Sequence, residues 1–216
     1  MKFNFAKRTT GPLAEGPTLD NFAPKVTLTK KHEARINMKI RSVAVFCGSK
    51  EGNNPLFARH TVELGKYIAL LQLKLIYGGG STGLMGLIAD TVLAEGGAVM
   101  GIIPELLIEW EHQHKGLTEL AIVPDMHARK KMLYERSDAA IILPGGFGTL
   151  DELFEMLTWN QLKIHSKKIY ILNSGGFYNH LAIHLRQLEK EGFLYDSIDE
   201  RIHFCETPVE IFNRIT

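Results

Sequence analysis

After residue 41 the chain shows two kinds of hydrophobic pattern, which follow one another in turn. Short apolar runs with little internal alternation, such as SVAVFCGS at 42–49, are typical of strands buried on both faces. Longer segments between them, such as PLFARHTVELGKYIALL at 55–71, repeat their apolar positions with helical spacing. The predicted strands are 42–49, 74–80, 98–103, 119–123, 139–146, 167–173 and 202–206. The predicted helices are 55–71, 83–97, 127–138, 149–162, 178–193 and 208–215.

Strands that alternate with helices predict an α/β fold: a single Rossmann-like, doubly wound, mainly parallel sheet flanked by helices. We assign residues 41–216 to this nucleotide-binding catalytic domain. Residues 1–40 carry three prolines, little periodicity and a basic cluster. They are interpreted as an N-terminal extension, partly flexible, with a short helix near 29–38 and a solvated basic cluster.

Composition narrows the classes of partner. The 216 residues carry a net charge of +1, with 45% hydrophobic and 23% charged residues. A net charge this close to zero is not the excess of basic residues that a nucleic-acid-binding surface needs. No apolar stretch approaches the ~20 residues of a membrane span. Cys47 and Cys205 are predicted to be free thiols in a reducing compartment. The N-terminus lacks the apolar region of a secretory signal, so a cytoplasmic location is expected.

Three glycine-rich turns follow predicted strands, at 48–50, 78–83 and 144–149. Ligands of doubly wound sheets bind at the carboxyl ends of the strands, so the turns are expected to share one rim. GGGSTGLMG at 78–86 has no Gly-Lys-Ser/Thr end and is not a P-loop. It fits a dinucleotide fingerprint only weakly, because it follows the second strand and lacks the expected acidic residue further on. Tight strand–helix packing is the alternative, and phosphate binding is favoured.

LPGGFGTLDE at 143–152 combines a glycine turn with two carboxylates. Thr149 is placed either to cap the helix or to bond a phosphate oxygen. Asp151 is explained by helix electrostatics alone, because acidic groups stabilise a first helical turn. Glu152 is the candidate for chemistry, because MHARK at 126–130 supplies cations to the same rim.

Arg129 and Lys130 are the cations of that second motif. A solvated basic helix start is the simpler explanation for this pair alone. Two cations near a helix N-terminus are opposed by the helix dipole, however, which indicates an anion nearby. The histidines 112, 114 and 127 are interpreted as surface or pocket residues, and no metal site is predicted.

These motifs together resemble the LONELY GUY family of cytokinin riboside 5′-monophosphate phosphoribohydrolases, often mislabelled "possible lysine decarboxylase". The family pattern P-G-G-x-G-T-x-x-E is met by residues 144–152, and its R-K pair by Arg129 and Lys130. G-G-G-x-x-G-L-M-G is met by residues 78–86, C-G-S by 47–49 and T-W-x-Q-L by 158–162. The resemblance spans about residues 42–195.

The resemblance implies hydrolysis of the N-glycosidic bond of a nucleoside 5′-monophosphate, giving free base and ribose 5-phosphate without a metal or organic cofactor. It implies Arg129 and Glu152 as the catalytic pair. It also implies a homodimer or larger homo-oligomer. The substrate-binding residues are expected to be Gly48, Ser49, Gly79, Gly80, Gly83, Met85, Glu111, Met126, Lys130, Gly145, Gly146, Phe147, Gly148, Thr149 and Thr158.

Departures from the family pattern leave the base open. Lys50 replaces a small residue of many relatives, and residues 105–120, which border the base in relatives, match only loosely. The substrate is therefore an isoprenoid-modified AMP, plain AMP or another nucleoside monophosphate. Two rival functions are a pyridoxal phosphate-dependent lysine decarboxylase and a nucleotide sensor without turnover. The first lacks a lysine in an obvious cofactor-binding context, and retention of both Arg129 and Glu152 argues against the second.

Overall fold

The computed structural model describes residues 40–108 and 112–216. The predicted extension at 1–40, its short helix and Glu111 therefore lie outside the described residues, except for Ile40. The strands are β1 Ser42–Phe46, β2 Lys74–Tyr77, β3 Val99–Pro104, β4 Glu119–Val123, β5 Ala139–Ile142, β6 Ile169–Leu172 and β7 Ile202–Cys205. The α-helices are α1 Pro55–Leu70, α2 Gly83–Ala94, α3 Met126–Glu135, α4 Phe147–Gln161, α5 Asn179–Lys190 and α6 Pro208–Ile215.

The seven strands form one sheet in the order β4-β3-β2-β1-β5-β6-β7. Each neighbouring pair is parallel, with registers such as Val43 beside Leu75 on one side and Ala139 on the other. The chain thus builds outward from β1 in one direction and then returns to build outward from β5 in the other. This reversal creates a switch point between β1 and β5, where ligands of such sheets bind.

Alternate residues of β1 enter two separate cores. Val43 and Val45 pack with side chains of α1, α2 and α6 on one face of the sheet. Ala44 and Phe46 pack with side chains of α3, α4 and α5 on the other. Burial of both faces explains why the strand sequences are continuously apolar. The predicted doubly wound α/β fold is confirmed.

Helix boundaries differ from the predicted ones mainly at turn residues. The third helix ends at Glu135 rather than at 138, because Asp138 instead accepts hydrogen bonds from the backbone N–H groups of Arg41 and Ser42 at the start of β1. The fifth helix ends at Lys190, before Gly192 with its left-handed φ of 76°. The prediction that the fourth helix begins at Thr149 is wrong, since α4 begins at Phe147.

Candidate active site

The turns after β1 and β5 touch at the switch point. The Gly48 N–H donates to the Pro144 carbonyl oxygen at 3.1 Å. The Gly48 carbonyl accepts a bond from the Leu84 N–H of α2, also at 3.1 Å. Gly83 has a φ of 59°, and a Cβ there would come within 2.3 Å of the Ser49 carbonyl carbon. The three glycine-rich turns thus meet at one rim, as predicted, with backbone packed against backbone.

No side chain of the described residues caps the N-terminus of α4 by a hydrogen bond. Gly146 is the N-cap residue, and no side chain caps this helix, whereas Asn54 caps α1 and Asp125 caps α3 through their side-chain oxygens. The first amides of a helix have no partner within the helix. Those of α4 therefore offer N–H donors at the positive end of the helix, the arrangement that favours an anion.

Residues 144–149, which we call the rim loop, have a packed inner side and an open outer side. A Cβ on Gly145 would lie 2.1 Å from the buried Thr149 hydroxyl. A Cβ on Gly146 or Gly148 would meet nothing within 4 Å. Phe147 is 94% exposed, so its side chain does not fill the rim from within. Of the two roles expected for Thr149, capping is excluded, because it stands in the first turn behind the Gly146 cap.

The side chain of Arg129, a residue of α3, reaches the turn after β2. The residue is 4% exposed, and its Nη2 donates to the Gly78 carbonyl at 3.0 Å. A side chain at Gly78 would collide with this nitrogen, since its Cβ would come within 2.1 Å. The Met126 sulfur lies 3.9 Å from Nη1 of the same group, and the Met85 sulfur would lie 3.5 Å from a Cβ at Gly78. The absence of a side chain at Gly78 is therefore what lets a buried arginine reach this turn.

Glu152 is half-buried in the second turn of α4. Burial raises the pKa of the Cys47 thiol well above its ordinary value, and the negative charge of Glu152 raises it further. The carboxylate therefore lies close to the end of β1. Arg129 belongs to α3, but its side chain reaches the turn after β2, the strand beside β1. Both candidate catalytic side chains therefore lie at the ends of neighbouring central strands.

Lys130 forms ion pairs with two carboxylates of α4. Its Nζ lies 2.7 Å from Asp151 and 3.5 Å from Glu155. Burial lowers the pKa of Lys130, but the hydrogen bond to Asp151 and the charge of Glu155 outweigh it, so the pKa is raised overall. The negative charge expected beside Lys130 is thus supplied by Asp151 and Glu155 of the protein itself. The interpretation of Asp151 as a first-turn residue is wrong, since α4 starts earlier and its first turn is free of acids.

Residues 112–116 cover the second glycine turn. The Ser81 N–H donates to the His112 carbonyl at 3.0 Å, and the His114 N–H donates to the Gly79 carbonyl at 2.9 Å. Gly80 forms an antiparallel bridge with Gln113. These bonds use the Gly79 carbonyl and the Ser81 N–H, so this turn is partly occupied by the protein itself.

His114 fastens the covering segment to α2. Its Nδ1 accepts from the Gly116 N–H at 3.0 Å, so its Nε2 carries the proton toward Asp90 at 2.9 Å. Within residues 40–108 and 112–216, no group of three potential metal ligands comes together.

Two expected site residues form bonds that lead away from the rim loop. Thr158 is exposed, and its hydroxyl donates to the Phe154 carbonyl of its own helix at 2.8 Å. Lys130 contacts α4 through its two acids instead. Sequence reasoning in turn missed Tyr178, whose hydroxyl donates to the Leu143 carbonyl at 2.7 Å beneath the rim loop. Its position between a strand and a helix carries no distinctive sequence signal.

The fold and this rim define a Rossmann-like α/β protein with its candidate site at the switch point. A family model described as "Possible lysine decarboxylase" matches residues 85–215. The chain is 40% identical over 187 residues to the cytokinin riboside 5′-monophosphate phosphoribohydrolase of Rhodococcoides fascians, covering 86% of this chain and 93% of that protein. It is also 40% identical to the Arabidopsis thaliana enzyme LOG3, covering 86% of each. The chain belongs to this LONELY GUY family.

Solved structures support the fold. A molybdenum cofactor binding protein from Rippkaea orientalis superposes with a TM-score of 0.61 at 22% identity, covering 83% of this chain and 99% of that one. The molybdenum cofactor carrier protein of Chlamydomonas reinhardtii gives a TM-score of 0.62 at 18% identity, with coverage of 81% and 94%. Among the described residues, no helix is both long and apolar enough for a membrane span.

Proposed function

We propose that the protein hydrolyses the N-glycosidic bond of a purine nucleoside 5′-monophosphate to free base and ribose 5-phosphate. One observation carries the proposal. The α4 N-terminus is uncapped, has open space over Gly146 and Gly148, and continues directly into Glu152. The curated relatives, which are named for this reaction on cytokinin riboside monophosphates, support the same assignment.

The 5′-phosphate is assigned to the rim loop. Its amides and the positive end of α4 favour an anion, and the open outer side of Gly146 and Gly148 allows close approach. Glu152 follows Phe147 by five residues, or ~7.5 Å along the helix axis. A phosphate held at the N-terminus therefore places the ribose, rather than the phosphorus, near the carboxylate.

Glu152 is assigned to the reacting sugar. Cleavage of the C–N bond leaves positive charge on the ribose ring, and water adds to the anomeric carbon while the base departs with a proton. A fixed carboxylate stabilises the positive charge that develops in the transition state. Arg129, held rigidly against Gly78, is assigned to positioning the carboxylate or the phosphate.

A hydrolysis in heavy-oxygen water tests the reaction type. Attack at the anomeric carbon puts the label into ribose 5-phosphate and leaves inorganic phosphate unlabelled. Label in inorganic phosphate, with intact nucleoside as the other product, would identify a phosphatase and sink the proposal.

Lysine decarboxylation is the less favoured function. A lysine that forms a Schiff base is activated by a lowered pKa. The pKa of Lys130, the lysine of the R-K pair, is raised instead, and two carboxylates hold it. The pKa of Lys167 is lowered, chiefly by burial, but this lysine precedes β6 and so lies at the amino ends of the strands, opposite the rim. An absorbance band near ~400 nm would revive this function.

We also propose a homodimer or larger homo-oligomer in the cytoplasm. Phe147 and Phe154 are seven residues apart, close to two helical turns, and are 94% and 38% exposed on one side of α4. Such an apolar stripe is typical of an association surface. Light scattering at micromolar concentration is expected to show at least a dimer that Phe154→Asp weakens. Phe193→Asp, at an exposed position outside α4, is the control, and a wild-type monomer would contradict the proposal.

A further inference from the structure

Tyr178 lies beneath the rim loop and contacts its first residues. The side chain is 3% exposed, and its hydroxyl donates to the Leu143 carbonyl at 2.7 Å. Burial raises the pKa of the phenol and so does Cys47 nearby, whereas a hydrogen bond with the Gly145 backbone acts in the opposite direction. The phenol oxygen therefore bonds to the Leu143 carbonyl and lies beside the backbone of Gly145.

The hydrogen bond of Tyr178 to Leu143 fixes one side of the turn at Pro144. The other side is fixed by the Gly48 N–H, which donates to the Pro144 carbonyl at 3.1 Å. Gly145 is further enclosed by Thr149, whose hydroxyl leaves no room for a Cβ. The turn that leads into the α4 N-terminus is thus held by a strand end on one side and by Tyr178 on the other.

Tyr178 is itself held in place by a polar network. Its backbone N–H donates to Asn173 Oδ1 at 2.7 Å. The Nδ2 atom of Asn173 donates to Asn179 at 2.8 Å and to Glu206 at 2.9 Å. The ends of β6 and β7 therefore determine where the phenol stands. Because the network fixes the position of the hydroxyl, the hydroxyl in turn restricts the motion of the loop that it contacts.

We propose that Tyr178 is a positioning residue that holds the rim loop in the geometry that binds the 5′-phosphate. This inference rests on the proposed function, because it deepens the role of the same loop. Tyr178 acts through the Leu143 carbonyl and does not touch the substrate. Its hydroxyl pre-orients the α4 amides, so the loop does not have to be ordered when the phosphate arrives.

Tyr178→Phe removes only the hydroxyl oxygen that bonds to Leu143. The expected result is a rise of about 3- to 10-fold in the KM for AMP and in the inhibition constant of ribose 5-phosphate. The turnover number and the inhibition constant of free adenine are expected to stay within about 2-fold, because the loss falls on phosphate binding and not on the chemical step at the ribose. Tyr170→Phe, which removes the same atom from another buried tyrosine on β6, is the matched control and is expected to change neither constant.

Direct calorimetry with ribose 5-phosphate separates the two proposals. Binding by the wild type that Tyr178→Phe leaves unchanged overturns the role of Tyr178 alone. Binding that the variant weakens, in a protein that releases no base, supports Tyr178 and overturns the proposed reaction. No binding by the wild type overturns both.

Amide hydrogen exchange of the wild type provides a second readout if Tyr178→Phe does not fold. The Gly145 amide is expected to exchange slowly without ligand, because its turn is held by Gly48 on one side and by Tyr178 on the other. Addition of ribose 5-phosphate is expected to slow exchange at residues 147–149. Rapid exchange at Gly145 would overturn the proposal.

Discussion

The glycines of the rim loop serve two different purposes. Gly145 is enclosed, because a Cβ would meet the Thr149 hydroxyl at 2.1 Å and the Gly48 backbone nitrogen at 2.9 Å. Gly148 has open space and lies inside the first turn of α4. The first glycine allows the turn to pack, whereas the second keeps a surface clear. Substitution at the two positions therefore separates packing from ligand access.

Gly148→Ala is expected to leave folding intact or to raise the free energy of unfolding by about 0.5–1 kcal/mol, because alanine is the better helix former. The added methyl group occupies the open side of the loop, so ribose 5-phosphate binding is expected to weaken at least about 10-fold. Thermal melts and calorimetry measure the two effects. The control, Gly145→Ala, is expected to lower stability by about 1–3 kcal/mol through overpacking. Unchanged binding in Gly148→Ala would place the phosphate elsewhere.

Glu152→Gln is expected to retain nucleotide affinity within about 3-fold and to lose at least about 10³-fold in turnover. The amide fills the same volume but no longer stabilises positive charge on the ribose. Single-turnover kinetics and calorimetry with AMP check this. Asp151→Asn removes the neighbouring carboxylate of α4 and is expected to cost about 10-fold or less. Hydrolysis by Glu152→Gln at the wild-type rate would contradict the mechanism.

At the scale of elements, the site depends on how α3 and α4 are joined. Both helices start at the carboxyl ends of the strands. Lys130 of α3 forms ion pairs with Asp151 and Glu155 of α4. The lysine side chain is 17% exposed, so these pairs are less screened than surface pairs. The α3–α4 contact therefore joins the residue next to Arg129 to the residue next to Glu152.

Lys130→Met is expected to lower the free energy of unfolding by about 1–2 kcal/mol, because two carboxylates lose their partner while the apolar stem is kept. Urea unfolding near neutral pH measures it. The control is Lys131→Met, since Lys131 pairs with Glu135 at 3.9 Å and both side chains are 60% exposed. That change is expected to stay within about 0.5 kcal/mol. Equal effects in the two variants would show that the α3–α4 contact adds no stability.

The connection between α4 and β6 predicts a pH dependence of stability. His165 lies against the Tyr134 ring, with 4.2 Å between ring centroids, and its Nδ1 accepts from the Lys167 N–H. Burial lowers the pKa of His165 to about 4, and the charge of Lys167 lowers it further, against a smaller opposing effect of the Met156 backbone. The unfolded chain, with a histidine pKa of about 6.5, therefore binds a proton more readily than the folded protein.

The free energy of unfolding is therefore expected to fall as the pH drops from about 6.5 to about 4, with no further loss from His165 below that range. Burial also lowers the pKa of His60 and His203, so they act in the same direction. His165→Gln is expected to flatten part of this dependence in urea titrations at several pH values. The exposed His184→Gln is the control. An unchanged slope in His165→Gln would refute the assignment.

At the scale of the whole molecule, hydrophobic periodicity predicted the order of strands and helices because both faces of the sheet are buried. Val43 and Ala44 illustrate this, since neighbours along one strand enter opposite cores. Periodicity failed at Phe147 and Gly148, because glycine is a poor helix former and yet belongs to the first turn of α4. Tertiary contact at the rim overrides local propensity there.

The candidate site could be predicted only in part, for a similar reason. Glycine turns at strand ends share a rim by topology alone, so their convergence follows from the pattern. The pairing of Lys130 with Asp151 depends on how two helices pack, and helical spacing along one segment does not encode it. Tyr178 lies 35 residues from Leu143, and its contact arises only from the order of β5 and β6.

The most direct test is a chromatographic assay of base release. The purified protein is incubated separately with AMP and with isopentenyladenosine 5′-monophosphate, without added metal. Our account predicts free base and ribose 5-phosphate from at least one of them, and faster release from the modified nucleotide if the enzyme activates cytokinins. Release from AMP alone would indicate an AMP nucleosidase on the same scaffold. No release from either nucleotide, together with tight AMP binding, would contradict the hydrolase assignment and favour a nucleotide sensor.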